Sequence, residues 1–209
     1  MPCCSKRSAG LHGNAAVRGG RPGALLIAAA LALVLADCGT APLAPTQIFP
    51  SRPDEPFRIE GRLSARRANE AVSVTFVWNH APPTDQFIVS NPLGATVAEM
   101  SGDSSTRRVE VRAADGRTDT ASDWSALTER FVGFPLPVES LAFWAQGSPR
   151  PGDAQTTEVD AAGRLHVLRQ DGCEIAYTYA ESALPLPSQL RLTCSDLELR
   201  IVVDKRAPG

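Results

Sequence analysis

The chain has 209 residues, enough for one domain with an additional tail, and 43% of them are hydrophobic, as in ordinary globular proteins. The formal net charge of -2 provides no basic field for nucleic acid and no general attraction to anionic lipid. These values exclude a protein whose function depends on a strongly basic chain.

The N-terminus carries the pattern of an export signal. Basic residues, all before position 22, precede an apolar run over 24–36. This run is shorter than the ~20 residues that a membrane span needs. A buried helix is the alternative, but the run has no polar face and a proline-rich stretch follows it. We therefore predict that residues 1–37 are a signal peptide.

The apolar run ends in Leu35-Ala36-Asp37-Cys38-Gly39. This order resembles the lipobox, in which a cysteine receives a diacylglycerol and the chain is cleaved just before it. Asp37 departs from the pattern, since Gly, Ala or Ser is usual there, and cleavage after Ala36 is the alternative. We predict lipidation of Cys38. Gly39 points to the outer membrane, because in such lipoproteins Asp at this position signals inner-membrane retention.

The next segment, 38–56, is rich in proline and has no apolar periodicity. It is predicted to be a lipidated N-terminus and flexible tether.

Cys173 and Cys194 would remain in an oxidising compartment, where disulfides persist. In a hairpin centred near Leu184-Pro185, position 173 lies opposite 194 or 195, which allows a disulfide between them. A one-residue change of register would instead leave two buried thiols.

Alternating apolar and polar residues begin at Phe57 and predict a β-rich domain. The predicted strands cover 57–65, 72–78, 87–89, 96–100, 109–111, 164–170, 173–180, 189–194 and 197–204. Short turns such as Asp115-Gly116 join consecutive strands, which is typical of an antiparallel meander.

Two short helices are predicted in the middle of the chain. Ser122 can cap the first, whose apolar face carries Trp124, Leu127 and Phe131. The second covers 138–145. A sheet of eight to ten strands must curl to bury its inner face, and two helices can plug an incomplete barrel.

No catalytic motif stands out. His80 lies beside a turn and is predicted to be solvated, and His166 lies inside a strand, where a satisfied surface or core histidine is common. The sequence has no nucleophile elbow, no Ser-x-x-Lys box and no phosphate-binding loop. We predict neither an enzyme nor a metal or cofactor site, although a carboxylate pair of the glycosidase kind stays open.

Several motifs occur in a fixed order between 57 and 205. They are Phe57-x-x-x-Gly61-Arg62-Leu63, Phe76-x-Trp78, the run Ser90 to Thr96, Asp115-Gly116, the run Gly133 to Gly147, Gln170-x-Gly172, Pro185-x-Pro187 and Leu190-x-Leu192. In this order and spacing the set resembles the LolB family, the outer-membrane lipoprotein receptor of the lipoprotein localisation pathway. Cys173 and Arg206 stand where the family often has Trp.

The resemblance implies a mainly β fold for 57–206: a half-open antiparallel β-barrel covered by two short helices. It implies a monomeric receptor on the periplasmic face of the outer membrane. This receptor would accept acylated lipoproteins from a soluble LolA-like periplasmic carrier and insert them into outer-membrane lipid without nucleotide. Two alternatives stay open: a structural or assembly lipoprotein with a filled core, and a lipid carrier with other cargo.

Inward-facing apolar side chains are predicted to contact the acyl chains of cargo, because burying each methylene is worth ~0.8 kcal/mol. They are Leu63, Val74, Phe76, Trp78, Ile88, Leu127, Phe131, Leu141 and Trp144. Simple core packing is the competing interpretation for each of them.

The loop Asn91-Pro92-Leu93-Gly94 is the second predicted site. Pro92 stiffens the turn and Gly94 permits a positive φ, so Leu93 is expected to project into solvent. The alternative is that Leu93 folds back onto the barrel rim. In the family this motif carries an exposed leucine that inserts cargo into the membrane, and the resemblance implies the same role for Leu93.

Overall fold

The computed structural model describes residues 55–151, 156–181 and 186–209. The predicted signal peptide, the predicted lipidation site Cys38 and all of the predicted tether except its last two residues lie outside the described residues. None of the described helices is both long and apolar enough to cross a membrane.

One antiparallel sheet of eleven strands forms the domain, in the order β6-β5-β4-β3-β2-β1-β11-β10-β9-β8-β7. The strands are β1 Phe57–Arg67, β2 Glu70–Ala81, β3 Thr84–Ser90, β4 Thr96–Asp103, β5 Arg108–Ala113, β6 Thr118–Ala121, β7 Thr156–Val159, β8 Leu165–Gln170, β9 Cys173–Thr178, β10 Gln189–Cys194 and β11 Leu197–Pro208. The edge strands β6 and β7 do not pair with each other in the described chain. The predicted mainly β, half-open fold is confirmed.

The two helices also form, with a different cap on the first. Helix α1 covers Trp124–Val132 and helix α2 covers Val138–Trp144. The N-cap of α1 is Asp123, whose carboxylate accepts from the Ala126 amide at 2.8 Å. Ser122, the predicted cap, instead donates to the Asp123 carboxylate at 3.0 Å. A carboxylate one residue later is an equally good cap, and the sequence alone does not choose between the two.

Two edge strands were not predicted. Strands β6 and β7 have four residues each, and their sequences, TDTA and TTEV, are mainly polar. Short polar strands at a sheet edge have no apolar alternation to reveal them, and they also deter pairing with other chains.

The first and last strands pair at the centre of the sheet. A bulge interrupts the β1–β11 register between Glu60 and Gly61. A Cβ on Gly61 would overlap the carbonyl oxygen of Val202, so this close approach of two strands requires glycine. The pairing joins β2–β6 on one side to β7–β10 on the other.

The core lies between the inner face of the sheet and the helices. In β8–β11 it is filled by fully buried aliphatic side chains: Leu165, Leu168, Ile175, Leu190, Leu192 and Leu199. Cys173 and Cys194 pair in the β9–β10 register with Cα atoms 4.3 Å apart, and a disulfide joins them.

Candidate functional site

An apolar cavity of about 80 Å³ lies between the helices and the inner face of β1–β4. Thr128 is its one residue with a polar side chain. The lining consists of Leu63, Val72, Val74, Phe76, Trp78, Phe87, Val89, Met100, Trp124, Thr128, Val132, Phe134, Leu136, Val138, Leu141 and Ile201. Such a site offers dispersion contacts and dehydration to an apolar ligand, and few directional bonds.

Five of the nine residues predicted to contact acyl chains line this cavity: Leu63, Val74, Phe76, Trp78 and Leu141. Alternation in β1 and β2 turns their side chains inward, and Leu141 meets them from α2. Their contact with cargo remains a prediction.

Three other predicted residues do not line the cavity. Leu127 and Trp144 are fully buried in the core. Phe131 is half-buried, and the guanidinium of Arg117 lies 5.7 Å from the centre of its ring. The apolar spacing that predicted these residues reports burial, and it does not separate core packing from a cavity wall.

The prediction for Ile88 is wrong. Ile88 is on the outer face of β3 and is 39% exposed, whereas its neighbours Phe87 and Val89 line the cavity. Three apolar residues in a row hide the period of two, so the sequence does not show which face is buried. The β3–β4 register settles it, because Phe87 pairs with Met100 and Val89 with Ala98.

The helices and their linker supply lining residues that the sequence did not indicate. Phe134 and Leu136 come from the linker, where no periodicity marks an inner face. The polar atoms there are satisfied: the Thr128 hydroxyl donates to the Trp124 carbonyl and accepts from the Leu136 amide, both at 2.8 Å. Gly102 leaves the space that the Trp124 indole occupies, since a Cβ there would meet that ring.

Aromatic side chains form a wall at one end of the cavity. The rings of Trp78 and Phe87 stack with centroids 4.9 Å apart, and Phe87 meets Trp124 edge-on at 5.2 Å. His80 is buried, with its ring stacked on Phe57 at 4.8 Å, so the prediction of a solvated histidine is wrong. The Trp78 indole nitrogen donates to the Asp85 carboxylate at 2.7 Å, and the same oxygen lies 2.8 Å from His80 Nδ1. These bonds fix the ring orientations and leave the apolar ring faces toward the cavity.

Leu93 lies on the β3–β4 turn and is 94% exposed. The Asn91 side-chain oxygen accepts from the amides of Leu93 and Ala95 at 3.0 and 3.1 Å. Gly94 adopts φ 89° and donates to the Asn91 carbonyl. The loop is therefore internally bonded, and it presents one large apolar side chain to solvent.

Two charged groups lie close to the helices. Burial raises the pKa of Glu139 in the first turn of α2, and the carboxylates of Asp123 and Asp85 add to the effect. Burial lowers the pKa of Arg206 to about 10, so it remains a cation at neutral pH. Its guanidinium donates to the Ala145 carbonyl at the end of α2, at 2.8 Å.

No cluster of metal-ligating side chains occurs in residues 55–151, 156–181 and 186–209.

Comparisons with known proteins identify relatives of the chain. A family model described as outer membrane lipoprotein LolB matches residues 55–205. The chain is 34% identical over 175 residues to the outer-membrane lipoprotein LolB of Chromobacterium violaceum, covering 83% of this chain and 93% of that protein. It is 31% identical over 195 residues to that of Alkalilimnicola ehrlichii, covering 88% and 96%.

Among solved structures, a DUF1329 family protein from Desulfovibrio piger superimposes with a TM-score of 0.51. The alignment covers 75% of this chain and 86% of that one, at 10% identity. A likeness at this identity is one of fold alone.

Proposed function

The chain belongs to the LolB family and is therefore an outer-membrane lipoprotein receptor of lipoprotein localisation; we propose that it holds cargo acyl chains in its apolar cavity and releases them through the Leu93 loop. In this proposal the cargo is an acylated lipoprotein that arrives on a soluble LolA-like carrier. The receptor acts as a monomer anchored at Cys38, and it uses no catalysis, nucleotide or cofactor.

The apolar lining is the observation that carries the proposal. Each methylene exposed to water costs ~0.8 kcal/mol, so acyl chains must pass from one apolar site to another. The cavity holds about 80 Å³, whereas ligand sites commonly hold roughly 300–1,000 Å³. Cargo entry therefore requires α1 and α2 to move away from the sheet. The apolar helix faces would then cover the acyl chains as they now cover the sheet.

The position of the Leu93 loop supports this proposal. Val89 lines the cavity and lies four residues before Leu93 in the chain. The loop therefore continues directly from the cavity wall. A leucine at a bonded turn tip can enter the apolar part of a bilayer without exposing unpaired backbone groups. The loop would thus provide an apolar route from the cavity into the membrane.

Delivery of a labelled lipoprotein from the carrier to liposomes tests the proposal. Leu93→Glu should leave folding and cargo acceptance nearly unchanged and should block release, because a carboxylate resists burial in lipid. Thr106→Glu adds the same charge to an exposed turn at the opposite end of the sheet and should deliver at the wild-type rate. Delivery by Leu93→Glu at that rate would exclude the proposed role of the loop.

A structural lipoprotein with a filled core is the second candidate, favoured by the fully buried side chains of β8–β11 and the small volume of the cavity. Mass spectrometry of the purified protein separates the two functions. Co-purified acyl compounds support a lipid-binding receptor, and a ligand-free protein that takes up no lipoprotein from the carrier supports a scaffold.

A further inference from the structure

A groove of about 400 Å³ lies on the outer face of the sheet, and its lining is partly apolar, from Leu63, Val74 and Val202. Its polar walls are formed by Arg62, Ser64, Ser73, Thr75 and Arg200, and Pro92 of the Leu93 loop closes one side. A second groove of about 300 Å³ continues from it and adds three charged residues, Arg66, Arg191 and Glu198. The two grooves share Ser64, Ser73 and Arg200 and form one surface, which we call the arginine groove.

The strand register explains why this surface adjoins the loop. One cross-strand row contains Arg62, Thr75 and Ser90, the last residue of β3. The next row, about 7 Å further along the strands, contains Arg191, Arg200, Ser64 and Ser73. Strand β3 has ended at that row and its place is taken by the Leu93 loop.

The arginine groove carries an excess of positive charge, unlike the chain as a whole. Arg62 is paired with Asp204, with bonds of 3.0 and 2.7 Å. Arg200 donates twice to the neutral Gln189 amide oxygen, at 3.1 and 2.7 Å. Among the described residues, Arg66, Arg191 and Arg200 form no salt bridge, and Glu198 is the one carboxylate that lines the groove.

This chemistry suits a phosphate group. Guanidinium groups bind phosphate oxygens through paired hydrogen bonds, and the hydroxyls of Ser64, Ser73 and Thr75 are further donors. Arg191 and Arg200 are directly opposite each other across β10 and β11. Two like charges at this spacing repel each other, and a bound anion removes the repulsion.

We propose that the arginine groove binds the phosphate of anionic phospholipid headgroups while Leu93 lies in the bilayer. This inference rests on the proposed membrane role of the Leu93 loop. The position of the groove favours a membrane as the source of this phosphate. Pro92 lines the groove, and its neighbour Leu93 is the apolar tip of the same loop. Headgroup binding would orient the receptor with its cavity above the lipid. The release step would then depend on anionic lipid.

The lipid-anchored full chain on vesicles provides the test. An environment-sensitive fluorophore at Ala95→Cys, an exposed loop position, reports insertion of the loop. The vesicles contain phosphatidylcholine alone or with phosphatidylglycerol. Each basic residue near an anionic surface contributes about 1 kcal/mol, so Arg191→Gln/Arg200→Gln should lower the insertion equilibrium about 25-fold on anionic vesicles. It should have a much smaller effect on phosphatidylcholine vesicles, because choline balances the charge of each phosphate there, and Arg112→Gln, on the same outer face, should have little effect on either.

The outcomes separate this inference from the loop proposal. Insertion that occurs equally in the double variant and the wild type on anionic vesicles overturns headgroup binding and leaves the role of Leu93 intact. No insertion into any vesicle overturns both. Inorganic phosphate should weaken the anionic response more than chloride at equal ionic strength, because it offers the guanidinium groups the same oxygens as a headgroup. Inorganic phosphate that binds the wild type but not the double variant, and that anionic vesicles do not displace, would show that the groove takes the free anion and would overturn its assignment to lipid.

Discussion

The two sides of the sheet differ in how completely their inner faces are filled. In β8–β11 most inward side chains are buried, six of them fully, and a disulfide joins β9 to β10. In β1–β4 several inward side chains, among them Leu63, Val74 and Phe87, are only half-buried and face a cavity under the helices. One continuous sheet thus contains a packed region, which we call the filled half, and a region that borders a cavity, the cavity half.

This difference suggests that one half of the sheet serves stability and the other serves ligand binding. The filled half can stabilise the fold, because burying close-packed aliphatic side chains contributes much of the free energy of folding. The cavity half covers its apolar residues with two short helices, which are not part of the β-ladder. Function that depends on admitting a lipid therefore needs the filled half to supply the stability that the cavity half lacks.

Filling the cavity should abolish cargo acceptance while leaving the fold intact. Val74→Phe adds an aromatic ring to the cavity wall, so transfer of a labelled lipoprotein from the carrier should fall at least about tenfold. The free energy of unfolding should change by less than about 1.5 kcal/mol, since the ring enters existing space. Val77→Phe, on the outer face of the same strand, is the matched control and should accept cargo normally.

Truncation in the filled half should show the opposite behaviour. Leu192 is fully buried in β10, and Leu192→Ala should lower the free energy of unfolding by about 2–5 kcal/mol in urea titrations. The half-buried Val74, changed to Ala, should cost less than about 1 kcal/mol because its side chain already faces a void. Equal costs at the two positions would remove the distinction between the halves.

The disulfide adds a second test of the filled half. Replacing both Cys173 and Cys194 with Ser should cost about 3 kcal/mol, from the loss of a link across 21 residues of chain. Cargo acceptance should persist, because the bond lies away from the cavity lining. Thiol labelling of denatured, unreduced protein is the direct check, and finding both cysteines reactive would contradict the structure.

Much of this division could be predicted from the sequence, and the rest depends on tertiary contacts. Alternation in β1 and β2 identified the inward Leu63 and Val74. The run Phe87-Ile88-Val89 does not show which side chains face inward, and only the pairing of β3 with β4 decides it. Phe134 reaches the cavity from a linker with no period. Whether inward residues fill a core or leave a cavity depends on how helices pack across the sheet, and one-dimensional periodicity does not contain that information.

A small pH-dependent change in stability is expected from Glu139, in the first turn of the second helix over the cavity. Burial, with smaller contributions from Asp123 and Asp85, raises the pKa of Glu139 above 4.5. A carboxyl with a raised pKa in the folded state retains its proton longer there than in the unfolded chain, so its contribution to stability falls as the pH rises through that window. Glu139→Gln, which resembles the protonated acid, should therefore match the wild type at about pH 3.5 and be more stable at pH 7.

The gain at pH 7 should be less than about 0.5 kcal/mol, because the Glu139 side chain is partly solvated. Thermal unfolding of both proteins at the two pH values measures it. An equal difference at both values would mean that the amide acts through packing and not through charge. If the wild type is more stable than Glu139→Gln at pH 7, the charged carboxylate of Glu139 has a favourable partner in the folded protein.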